Sequence, residues 1–263
     1  MKFHLFLLIF CLGFGCSAQS DRKTAEQGNN PQENREVSNA LDSTKNEPSI
    51  IRLQTWSLVE KGETYESTKR KINVLRNQVR SQNLPIDSID KVFKESLLNR
   101  IIPFWEGTRW SFEGHTSTPR VGEIACGYFV STTLRDVGLN LNRYRLAQQS
   151  PIYEAKSLAI HTEVIEVSEE STADNIQAIN TSLTEGIHFI GFDESHVGFV
   201  LKEEEDLYLI HANYMDSVGV GIEKIEASEV FTWYSRFYLV ELSTNKALLT
   251  HWIEGNEIKV VQE

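Results

Sequence analysis

Apolar residues at Ile72, Val74, Leu75 and Val79 recur at helical spacing and predict a helix over 69–81, ended by Pro85. A second helix is predicted from Asp87 or Ser88, whose side-chain oxygens suit a cap, through Ile89, Val92, Phe93, Leu97 and Leu98 to Arg100, with Pro103 closing it. A third, over 127–137, places Phe129, Val130, Thr133, Leu134 and Val137 on one stripe, and Gly138 follows as a stop. Beyond it the pattern becomes strand-like at 161–167, 187–192, 196–201, 207–212, 219–225 and 236–242, with one helix at 174–183. Helices first and an antiparallel sheet afterwards predict an α+β domain.

The charged stretch 202–206 lies between two apolar runs and predicts a hairpin. A four-residue loop over 202–205 sets Leu201 against Asp206 and His196 against His211 on one face. An odd loop sends the two histidines to opposite faces unless a bulge intervenes, since side chains alternate along a strand. Either way they lie within a residue or two of each other.

After Met1 come Lys2, an apolar run from Phe3 to Leu12, and then Gly13-Phe14-Gly15-Cys16, the pattern of an export signal over 1–15. That run is too short for a permanent membrane span. Cys16 after Gly15 fits a lipoprotein cleavage site, with Cys16 as the lipidated first residue; Cys16-Ser17-Ala18 also suits ordinary cleavage after Ala18. Residues 16–48 contain no aromatic and almost no large aliphatic side chain, and read as a flexible tether. A helical region over 49–103, a mixed domain over 104–245 and a C-terminal tail over 246–263 complete the predicted organisation.

The formal charge of −11 becomes −12 once Lys2 leaves with the signal, and an acidic chain argues against nucleic-acid partners bound through phosphates. No Gly-x-Ser-x-Gly elbow and no phosphate-binding glycine loop is present. The spacing of His188, His196 and His211 matches no compact zinc pattern, so no metal and no organic cofactor is expected.

Export removes Cys11, and Cys16 is then acylated or lost, so Cys126 stands without a partner. A buried structural thiol is the plain alternative. Yet Cys126 opens the third helix, where unpaired amides and the helix dipole favour a thiolate. His196 and His211 lie on neighbouring strands and supply a base and a group that fixes the base's orientation. His115 falls in a polar loop, and Trp110 belongs to an aromatic cluster with Phe104, Trp105 and Phe112 ahead of the cysteine.

Four stretches in order, Gly107 to Gly114, the Cys126 segment through Leu139, His196 to Leu201, and Ile210-His211-Ala212, resemble the NlpC-type cell-wall cysteine peptidases. The resemblance covers 104–242 and implies a papain-like α+β fold, with nucleophile Cys126, general base His196 and orienting residue His211. It also implies peptide or isopeptide cleavage in peptidoglycan stem peptides, with the oxyanion held by the Cys126 amide and by the position Trp110 occupies. The family usually carries Asp-Cys-Ser-Gly where this chain has Ala125-Cys126-Gly127-Tyr128, which removes polar groups that hold the stem peptide's amino end. Glu123 is the acidic side chain expected to replace that contact, with Gly127 beside it in the cleft. The expected partners are a cell-wall peptide and, through lipidated Cys16, the membrane of the cell envelope. The rival reading is a papain-like module that binds envelope peptides or proteins without turnover, and thioester transfer to an amine or alcohol is a third.

Overall fold

The structure, a computed structural model, describes residues 62–262 apart from 83, 194 and 216–218. The expected signal, tether and Cys16 lie outside the described residues. In chain order the elements are α1 (Tyr65–Gln82), α2 (Ile86–Glu95), a π-helical stretch (Ser96–Ile101), α3 (Ile102–Trp105), β1 (Arg109–Trp110), β2 (Glu123–Ile124), α4 (Cys126–Asp136), β3 (Asn140–Leu141), α5 (Arg143–Ala147), α6 (Pro151–Leu158), β4 (Ile165–Val167) and α7 (Thr172–Ser182). They continue through β5 (Gly186–Phe192), β6 (His196–Glu203), β7 (Asp206–Asn213), β8 (Gly219–Lys224), a 3-10 turn (Ile225–Ala227), α8 (Glu229–Thr232), β9 (Phe237–Glu241), α9 (Lys246–Glu254) and β10 (Glu257–Ile258).

Helices and a six-stranded sheet of order β4-β9-β5-β6-β7-β8, antiparallel at every pairing, make this a mixed α+β domain. The sheet is covered on both faces. On one, α4 lies across β6 and β7 and buries Phe129 against Phe199, with Ile187, Phe189, Leu201 and Ile210 in the same core. On the other, Ile190, Phe192, Val200 and Leu209 pack with Ile179, Phe231 and Phe237. Burial on both faces explains why β5 is apolar along its length apart from His188 and its glycines.

Several expectations are corrected by packing. Pro103 does not end the second helix: the π-helical stretch shifts the hydrogen-bond ladder, and Pro103 falls in the first turn of α3, where no amide donor is needed. Neither Asp87 nor Ser88 caps α2, whose N-cap is Pro85 with no side-chain cap. The strand expected over 161–167 shrinks to three residues, because His161 has a positive φ of 53° in the preceding turn. The stretch expected as a C-terminal tail is part of the core: Trp252 on α9 is buried, its indole N–H donates to the Val137 carbonyl at 2.8 Å, and β10 pairs with β3. At the same C-terminal end of α4, Tyr65 donates to Asp136 Oδ2 at 2.8 Å and accepts from the Trp105 indole at 2.9 Å, which ties the N-terminal helices to the helix that carries the thiol.

Candidate active site

Cys126 is the first residue of α4, preceded by Ala125 in extended conformation. The helix tip reaches past the start of β6, so the Cys126 Sγ sits 4.0 Å from the Ser195 carbonyl oxygen, immediately before His196. The thiol, His196, Trp110, Tyr128 and Tyr214 line one cleft of about 190 Å³, with the exposed Phe112 at its rim.

The hairpin of β6 and β7 closes through two residues, with Glu203 paired to Asp206, Leu201 to Tyr208 and Phe199 to Ile210. The expected pairing of Leu201 with Asp206 is therefore shifted by two residues. An even shift preserves the face, so both histidines point the same way, but diagonally rather than directly opposed. Glycine makes the diagonal possible. His211 lies beside Gly198 on β6, where an added Cβ would come within 2.9 Å of the His211 Cβ, and pairs with Gly221 on β8. With no side chain on either flank, the imidazole leans across to His196, and His196 Nε2 and His211 Nδ1 are 2.8 Å apart.

The protons in this pair follow from Glu223, two residues beyond Gly221 and on the same face. Its Oε1 lies 3.1 Å from His211 Nε2 and also accepts from the Ser228 hydroxyl. Burial works to raise the Glu223 carboxyl, but the hydrogen bonds from His211 and Ser228 hold the group below the usual carboxylate range. An ionised Glu223 only accepts, so His211 carries its proton on Nε2 and offers Nδ1 as a lone pair. His196 then donates from Nε2, and its Nδ1 is left as the basic nitrogen. His196 is 1% exposed, and burial with the neighbouring His211 pushes its imidazole well below its ordinary range, so it is neutral. Tyr214 and Tyr234 pack against its ring, and the Tyr234 hydroxyl lies 3.1 Å from both the Ser195 Oγ and the Tyr214 hydroxyl.

The thiol does not have the lowered pKa expected of a helix start. Burial pushes Cys126 up to about 11, and the Glu154 carboxylate adds to the rise; the amides of Val197, Gly127 and Cys126 act in the expected direction but are outweighed. At rest the site therefore holds a thiol beside a neutral imidazole.

Of the other expected residues, Trp110 is in the cleft wall against Tyr214, and its indole nitrogen is buried without a hydrogen-bond partner. Gly127 is in the cleft for a steric reason: an added Cβ would lie 2.8 Å from the Ala147 carbonyl oxygen and 3.0 Å from Glu154 Oε1, so α5 and α6 leave no room for the family's serine. Glu123 is not brought to the thiol. Its carboxylate lies 3.8 Å from Arg109 and borders a separate shallow pocket with Glu113 and His115. His188 is buried on β5 with Nε2 2.9 Å from the Thr184 carbonyl. Among the described residues no group of three or more His, Cys, Asp or Glu could hold a metal.

Glu223 and Glu154 stand outside the sequence expectations. Glu223 had no local signal, since its place depends on the pairing of β7 with β8. Glu154 did have one: with Pro151, Ala155 and Leu158 it forms the buried stripe of α6, where an acid is out of place.

The chain matches no protein-family model, no curated protein and no solved structure.

Proposed function

We propose that this protein is an exported thiol hydrolase with a papain-like fold of the NlpC type, a peptidase or amidase acting on peptides of the bacterial cell wall and anchored through lipidated Cys16. The observation that carries the reading is the hydrogen-bonded chain His196, His211 and Glu223, whose first member lines the same cleft as Cys126. The basic Nδ1 of His196 takes the thiol proton as the sulfur attacks the substrate carbonyl. Amides at the start of α4 face the developing oxyanion, and the His196 imidazolium gives its proton to the departing amine as the carbonyl–nitrogen bond breaks to leave a thioester. His196 then takes a proton from the water that attacks the thioester and returns it to the Cys126 sulfur as the acid departs. His211 holds His196 in the required tautomer, and Glu223 holds His211. No metal or organic cofactor takes part.

One observation favours a second reading. A thiol held neutral by burial suits a module that binds envelope peptides without cleaving them. Peptidoglycan digests incubated with the mature protein and with Cys126→Ser, followed by mass spectrometry of the products, separate the two. New products that depend on Cys126 support the hydrolase. A folded protein that gives none leaves the binding module. Intact mass of the protein from its native membrane, read for acyl chains on Cys16, tests the anchor.

A further inference from the structure

The cleft around Cys126 offers a ligand no ionic partner. No lysine, arginine or aspartate lines it, and His196 is 1% exposed. Glu154 of α6 is the acid in its wall, but this residue is 2% exposed, its Oε2 is shut off from solvent, and burial holds its carboxyl well above the usual carboxylate range. A charged group entering the cleft sheds water and meets no counter-ion, which is costly whatever its sign.

What the cleft does offer is apolar surface. Trp110, Phe112, Tyr128, Ala147, Pro151 and Val197 stand around the thiol, and the polar side chains of Ser195 and Gln149 beside them are neutral. The volume of about 190 Å³ suits one ring or one branched chain, since an apolar cavity of about 150 Å³ takes up benzene. Phe112 stands on the open side. It is 79% exposed at the rim, so its ring is left bare for whatever side chain enters, and covering it removes apolar area from water.

We infer that this cleft takes an uncharged, apolar side chain from the residue whose carbonyl meets Cys126, with Phe112 as the specificity-determining residue at its mouth. The inference rests on the cleft being the ligand site of the proposed function, and it narrows that reading. The bond attacked follows a neutral residue, and a bond that follows a side chain bearing a free carboxylate or ammonium is left alone.

The test labels Cys126 in the mature protein at about 0.15 M salt, where surface charge is screened. The reagents are methyl, benzyl, cationic 2-aminoethyl and anionic 2-sulfonatoethyl methanethiosulfonate; each forms a mixed disulfide with the thiolate and releases methanesulfinate. Dividing each rate by the methyl rate cancels the thiolate fraction, and dividing again by the same ratio for 2-mercaptoethanol cancels the reagent's own reactivity. The benzyl value is expected at least about tenfold above unity, the scale of covering one ring, and both charged values at least about tenfold below it. A benzyl value near unity overturns the proposal, and so does either charged value at or above unity. In Phe112→Ser, which alters an exposed side chain, the benzyl value should fall at least about threefold while the charged values stay where they were; an unmoved benzyl value overturns the assignment of Phe112. Neither arm needs turnover. An absence of peptide products therefore sinks the hydrolase and leaves this inference standing, whereas indifferent labelling sinks the inference and leaves the hydrolase.

Discussion

The resting state of Cys126 makes a quantitative prediction, because burial and the helix start pull its pKa in opposite directions and burial wins. With a pKa of about 11, the thiolate fraction at pH 8 is about 0.1%, against about 24% for an unperturbed cysteine of pKa 8.5, a deficit of roughly 240-fold. Nucleophilicity rises with basicity, and a Brønsted slope of about 0.45 over that difference returns roughly 13-fold. The net expectation is exchange with a small neutral disulfide, such as 2-hydroxyethyl disulfide, about 20-fold slower than free cysteine at pH 8. The rate should climb about tenfold per pH unit up to pH 10. The assay is intact mass against time across pH 5–10, on mature protein in which Cys126 is the reactive thiol. A rate that levels off below pH 8, as a preformed thiolate–imidazolium pair would give, refutes the claim that burial dominates. Replacing His196 by alanine should leave this resting profile rising in the same way, because the imidazole is neutral throughout that range.

The remaining expectations concern the groups behind the thiol. Glu223→Gln lets an amide N–H face His211 Nε2 and favours the wrong tautomer along the chain, so Cys126-dependent turnover should fall roughly a hundredfold with unchanged melting temperature; turnover within threefold of native removes Glu223 from the proton chain. In Gly198→Ala the new Cβ presses on His211 and on the Ile210 carbonyl, at 2.9 Å each, which should cost roughly 1–3 kcal/mol in denaturant unfolding and weaken reactivity with substrate; a neutral change would mean the hairpin yields freely. His188, buried and held down to about 4 mainly by burial, binds its proton in the unfolded chain below 6.5 but in the folded chain only near 4. The stability it protects is complete above pH 6.5 and lost as pH falls toward 4, about 3 kcal/mol at 1.36 kcal/mol per unit. His188→Gln should remove about that much of the difference in unfolding free energy between pH 7 and pH 4, and an unaltered difference would contradict it.

Local pattern was enough for the helix that begins at Cys126 and for the two histidine strands, because helical stripes and strand runs are properties of a few neighbouring residues. It was enough, too, to bring His196 and His211 near each other, since a short hairpin allows no other outcome. Whether they met directly or diagonally depended on a two-residue turn and on Gly198 and Gly221 lying on either side of His211. The role of Glu223 required the register of a further strand. Pro103 and the segment after 245 were misread because a π-helical shift and the docking of Trp252 are decided by packing rather than by local preference. The electrostatics lay furthest from the sequence: a cysteine at a helix start promises a thiolate, yet the sign of its shift came from how much water the folded cleft excludes and from Glu154, brought in by α6. Sequence thus determined which chemical groups are present and which local element carries each, while tertiary structure alone decided their distances, their solvent and hence their protonation.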